Sequence, residues 1–165
     1  MKAAFPNRRS VMGSAAGLLS ILGFTSLFSE RAFAKKNESV QKLNRDGKPA
    51  DGTQMITPLI IHGGLIYIAG QGANSNGPVG KDDIDSHTTK VMENVKQLVE
   101  VGGGTMDSIL QLTVFLADLA HYDAMNKIFK TYFPHGGPAR TTVAVAGLPG
   151  NSMIEINCIA AVTRK

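Results

Sequence analysis

Two amphipathic helical stripes stand among six short candidate strands, and two helices can cover only one face of the sheet that such strands build. Ile84, Val91, Val95, Leu98 and Val99 recur at three- and four-residue spacing, the period of a helix with one buried face, and Gly102-Gly103-Gly104 supplies its stop. Tyr122, Met125, Ile128, Phe129 and Tyr132 predict a second helix, ended by Pro134. Strands are expected near 39–44, 56–61, 65–71, 108–116, 139–146 and 154–162. One hairpin is expected to turn at His62-Gly63-Gly64 and another around Leu148-Pro149-Gly150-Asn151. The order β-β-β-α-β-α-β-β predicts an α+β fold, a mixed sheet with both helices on one face. Arg140, Thr142, Ala144 and Ala146 alternate onto one side of their run. Their short side chains suit close approach of a neighbouring sheet, so the uncovered face is expected against another copy in a closed homo-oligomer.

Residues 1–34 stand apart from this pattern. Asn7-Arg8-Arg9-Ser10 precedes an uncharged run from Val11 to Phe28, and Ala32-Phe33-Ala34 follows. A basic stretch, an apolar stretch and a small-x-small site in that order read as an export signal cleaved after Ala34. The adjacent arginines point to the twin-arginine route and a periplasmic location. The apolar run is rich in Gly and Ser and short against the roughly 20 residues of a membrane span. Of 17 Lys and Arg, four (Lys2, Arg8, Arg9, Arg31) fall in this leader, as does Glu30 among 13 Asp and Glu. The remaining 35–165 segment, read as one domain, therefore carries a net charge of +1, too little for a nucleic-acid-binding field. Its lone cysteine, Cys158, cannot form an internal disulfide, and its flanking Ile156-Asn157 and Ile159-Ala160 suggest a packed strand thiol.

Arg140, closing Pro138-Ala139-Arg140, and Glu155, within Met153-Ile154-Glu155-Ile156-Asn157, are the costly residues. A guanidinium or carboxylate on an apolar strand must be paired or face a ligand to offset lost hydration. An arginine fork beside a carboxylate outlines a site for a small carboxylate; a structural ion pair or two rim charges fit the same residues. Asn126 is open between a solvated helix residue and a pocket residue. His62, His87, His121 and His135 lack ligand spacing, so no metal is expected. Gly72 to Gly80 lacks the lysine-serine ending of a phosphate loop and the spacing of a dinucleotide fingerprint, and reads as a mobile loop or lid. No serine sits in a strand-turn-helix elbow between glycines.

Four segments in order carry a family resemblance: Gly64-Leu65-Ile66-Tyr67-Ile68-Ala69-Gly70-Gln71, Leu112-Thr113-Val114-Phe115-Leu116-Ala117-Asp118-Leu119, Pro138-Ala139-Arg140, and Leu148-Pro149 followed by Ile154-Glu155-Ile156. Over about residues 38–163 the chain resembles the RidA (YjgF) family of reactive-intermediate deaminases. The resemblance implies a chorismate-mutase-like fold assembled as a homotrimer with sites in the clefts between subunits. It also implies hydrolysis of enamines and imines, such as 2-aminoacrylate, to 2-keto acids and ammonia without metal or cofactor. Arg140 matches the carboxylate-binding arginine and Glu155 the water-activating glutamate, while Asn126 and Thr142 match pocket positions. Deaminating members carry a tyrosine where this chain has Ile56, a serine at Ala69 and often a cysteine at Thr142. Losing those polar groups implies reduced or altered deamination. A non-catalytic carboxylate-binding or chaperone-like role is the alternative, and RNA cleavage is disfavoured by the near-neutral charge.

Overall fold

The computed structural model describes residues 39–73 and 83–163. The leader, its cleavage site and most of the Gly72 to Gly80 stretch lie outside them. The described chain forms one six-stranded sheet from β1 (Gln41–Leu43), β2 (Leu59–His62), β3 (Leu65–Gly72), β4 (Ile109–Leu116), β5 (Ala139–Ala144) and β6 (Ile154–Ala161). The helices are α1 (Ile84–Val101) and α2 (Tyr122–Thr131). Strand order is β1-β2-β3-β6-β4-β5, and every pairing is antiparallel except that of β4 with β5.

The Asp83 carboxylate starts α1 by accepting the Ser86 N–H at 2.8 Å. The expected stripe is buried, joined by His87, Thr88 and Met92, and packs on Leu59, Ile66, Val114, Ile154 and Ile156 of the sheet. Gly102 closes the helix and lets it settle on β3, because a methyl there would stand 2.8 Å from Ile66 Cγ2. Gly103, at φ +86°, then turns the chain away.

Three expectations are corrected. Leu148-Pro149-Gly150-Asn151 does not join a hairpin: β6 lies between β3 and β4, and β5 runs parallel to β4 at the edge. β6 buries every second residue, Ile154, Ile156, Cys158 and Ala160, which suits a central strand, whereas most β5 residues are exposed. With α2 carrying the chain back between them, β4 and β5 pair in the same direction. The second correction concerns faces. Arg140, Thr142 and Ala144 oppose Leu112, Val114 and Leu116, the core side of β4, so the small-residue face looks toward the helices. The face the helices leave uncovered carries Tyr67, Thr113, Phe115, Val143, Glu155, Asn157 and Ile159. β2 also starts later than expected: Pro58 has no N–H for the ladder, and Ile56 is 63% exposed in the preceding loop.

Buried polar groups tie the central strands together. Ser152 Oγ accepts the Ala73 N–H at 2.8 Å and donates to Ile154 O, joining the end of β3 to the start of β6. His87 Nδ1 accepts the Met153 N–H at 3.0 Å, which pins β6 to α1. Cys158 is 4% exposed, and burial pushes its thiol from 9.0 up to about 12. Burial, with the hydrogen bond to Glu93, raises the Tyr132 phenol from 10.0 to about 12.

Replacing Ser152 with Ala strands the buried Ala73 N–H, so the urea midpoint should fall by the equivalent of about 1–3 kcal/mol at unchanged slope. Both raised groups stay protonated in the folded state after the unfolded chain has begun to ionise. Their contribution is complete below pH 9 and is lost as pH rises toward 12. Urea midpoints measured across this range should fall, and less steeply in Cys158→Ala.

Candidate functional site

The crossover through α2 builds the surroundings of Arg140. Parallel pairing places Arg140 opposite Leu112, with its side chain on the helix side of the edge strand. There the guanidinium carbon lies 4.6 Å from the centroid of the Phe129 ring and 5.8 Å from that of Tyr122. Nη2 donates to Tyr122 Oη at 3.3 Å. Asn126 lies four residues after Tyr122 and three before Phe129, and so belongs to the same stripe of α2. Thr142, the next residue of β5 on the Arg140 face, has a buried Oγ1 with no hydrogen-bond partner. An orphaned hydroxyl of this kind costs about 1–3 kcal/mol until something bonds it.

Among the described residues Arg140 has no acidic partner; the ion pair found there joins Lys48 and Asp46 on the surface at 2.9 Å. The aromatic faces therefore hold the fork in place while no carboxylate neutralises it, and its unused N–H groups suit a bidentate carboxylate.

Glu155 is placed elsewhere. It opposes Phe115 on β4 and Gly72 on β3, two strands from β5 and on the uncovered face. Its carboxylate lies over Gly70: a methyl on Gly70 would fall on Glu155 Oε1. That glycine sits in a β-bulge, where Ala69 and Gly70 together face the single residue Asn157. A depression of about 320 Å³ on the same face is lined by Tyr67, Gln111, Thr113, Asn157 and Ile159.

One chain thus gathers Arg140, Thr142 and Asn126 on one side of the sheet and holds Glu155 on the other. This geometry excludes an ion pair between Arg140 and Glu155 of the same chain. Tyr122 and Phe129, expected from sequence only as helix core positions, lie against the Arg140 guanidinium. The 122/126/129 spacing carries the signal, but it speaks only once the Arg140 side chain is seen to reach Tyr122 and Phe129 of α2. Among the described residues no group of His, Cys, Asp and Glu side chains is arranged to hold a metal ion.

Comparison with known proteins agrees with this architecture. The family model described as Endoribonuclease L-PSP matches residues 30–162. The mitochondrial protein mmf2 of Schizosaccharomyces pombe is 37% identical over 102 residues, which span 60% of this chain and 81% of that protein. Reactive Intermediate Deaminase A, chloroplastic, of Arabidopsis thaliana is 38% identical over 84 residues, 51% of this chain and 45% of that protein. The crystal structure of E. coli TdcF with bound serine superposes with a TM-score of 0.63 at 25% identity, covering 74% of this chain and 98% of that one. The match over most of the length, with the sheet order and helix placement that go with it, shows that the chain belongs to the Endoribonuclease L-PSP family, the RidA/YjgF family.

Proposed function

We propose that this protein hydrolyses 2-imino and 2-enamino acids to 2-keto acids and ammonia, at sites completed between copies of a homotrimer. The observation that carries the reading is Arg140: a guanidinium held between aromatic rings, unpaired with any acid among the described residues, beside the orphaned Thr142 hydroxyl. A small carboxylate satisfies both. The E. coli relative solved with serine bound, and the Arabidopsis relative named as a deaminase, support a substrate of amino-acid type.

Arg140 and Glu155 face opposite sides of one sheet, so a second copy must bring its Glu155 to the first copy's Arg140. The apolar and polar mixture on the uncovered face, with Tyr67 and Val143 39% and 40% exposed, supports packing of copies there. In the assembled seam Arg140 holds the substrate carboxylate, and Thr142 and Asn126 flank it. An enamino acid first tautomerises to its imine. Glu155 takes a proton from water as the water oxygen attacks the C=N carbon. The imine nitrogen gains the proton held by Glu155, Glu155 then takes the proton of the adduct's hydroxyl and passes it to the amino group, and ammonia leaves as the C–N bond breaks and the C=O bond forms. No metal or cofactor enters this scheme.

Residues 1–34 support export and a periplasmic site of action. There an imino acid released by an amino-acid oxidase or dehydrogenase is the fitting substrate. RNA is a poor fit to the net charge of +1 beyond the leader, despite the family's ribonuclease name.

A second reading, carboxylate capture without turnover, is favoured by the absence of hydroxyls at Ala69 and Ile56. It keeps the same anchor.

Keto-acid release should be measured with imino acids generated in place by an amino-acid oxidase. Arg140→Ala should raise KM about 10–100-fold, the worth of a charge-assisted bidentate contact. Glu155→Gln should lower kcat about 10²–10⁴-fold. Release no faster than in buffer would end the enzymatic reading. Thermal stabilisation by 2-keto acids, abolished in Arg140→Ala, would then leave the capture reading standing.

A further inference from the structure

Gln71 is a polar side chain 2% exposed in the core, outside the residues of the proposed chemistry. It follows the bulge directly. Before the bulge Ile68 opposes Cys158; after it Gln71 opposes Ile156, so the extra residue turns the Gln71 amide inward onto the core face.

The hydrogen bonds of that amide are directed at the bulge and at one cation. Nε2 donates to Ala69 O at 2.7 Å and to Gly70 O at 3.2 Å, the carbonyls of the two bulged residues. Arg45, in the turn after β1, donates from Nη2 to Gln71 Oε1 at 2.6 Å. Because a guanidinium only donates, the amide oxygen must face Arg45 and the NH₂ must face the bulge. From the outer side, the Ala69 N–H donates to Pro58 O at 3.0 Å. The bulge is therefore held on both sides, and Gly70 at its crest is the surface on which the Glu155 carboxylate rests.

We infer that Gln71, backed by Arg45, is a positioning residue for Glu155: the chain Arg45 to Gln71 to the Ala69 and Gly70 carbonyls sets the height of the bulge and so the direction of the carboxylate. This rests on the proposed role of Glu155 as base. A side chain that merely satisfied itself in the core would affect stability alone; one that aims a base affects the chemical step.

The test uses the purified full chain and four variants, Gln71→Met, Arg45→Met, Arg45→Lys and Glu155→Gln. Gln71→Met keeps the volume and removes every hydrogen bond; it should lower kcat about 10-fold with KM within about 2-fold of wild type. Arg45→Met should act in the same direction, and Arg45→Lys, which keeps a donor, should restore kcat. In parallel, the ¹³Cδ resonance of Glu155, assigned by its loss in Glu155→Gln, should move in Gln71→Met and Arg45→Met and return in Arg45→Lys. If Gln71→Met does not fold, the Arg45 variants decide the matter, since Arg45 lies in an exposed turn. A wild-type kcat and an unmoved resonance in folded Gln71→Met, or in both Arg45 variants, would overturn the inference. If Glu155→Gln keeps its kcat, the proposed function fails instead, and the resonance alone then judges the positioning role.

Discussion

The parallel pairing of β5 with β4 is the constraint on which the rest of the molecule depends. It leaves β6 the central place beside β4, and it fixes Arg140 opposite Leu112 on the helix side of the sheet. The same ladder, followed through β4 to β6, puts Glu155 opposite Phe115 on the other side. Side chains alternate with a period of two, so Glu155 cannot change face without a one-residue slip that would expose Ile154, Ile156 and Cys158. The face of Arg140 is set by the β4–β5 register and by its contacts with Tyr122 and Phe129.

Each charge then receives a setting suited to its placement. Arg140 lies at a sheet edge within side-chain reach of α2, and the aromatic stripe of that helix holds the guanidinium by its faces and leaves its N–H edge for an anion. Glu155 lies mid-sheet, where a flat strand would leave no room for a side chain lying along the surface. The bulge at Ala69 and Gly70 makes that room, and the Gln71 amide bonds the two carbonyls the irregularity involves. A polar chain reaching from Arg45 into the core is the cost of that adjustment.

Much of this was legible in the sequence because it is local. The α1 stripe, its glycine stop and the β2 and β3 hairpin follow from spacing and turn chemistry, and the structure places them within a few residues of expectation. Arg140 and Glu155 stood out because charge on an apolar strand is costly wherever the strand lies. What was not legible depends on ladder partners far apart in the chain. Leu148-Pro149-Gly150-Asn151 has the composition of a hairpin turn, yet β6 buries more by pairing with β3 and β4 than with its neighbour in sequence. The face of Arg140 and Thr142 is hidden in the sequence for the same reason: alternation shows which residues share a side, not which side the helices cover. The bulge was hidden too, because Ala69-Gly70-Gln71 reads as ordinary strand until its register with Asn157 is known.

The central claim is that a working site takes Arg140 from one copy and Glu155 from another, and mixed assembly tests it most directly. Arg140→Ala and Glu155→Gln chains, each strongly impaired at substrate concentrations below the wild-type KM, are unfolded together in equal amounts, refolded and assayed for keto-acid release at such a concentration. Random association restores both residues at about one seam in four, so activity should return to about a quarter of wild type. If both residues served a site within one chain, no mixture would contain an intact site, and activity no higher than that of the separate variants would contradict the account.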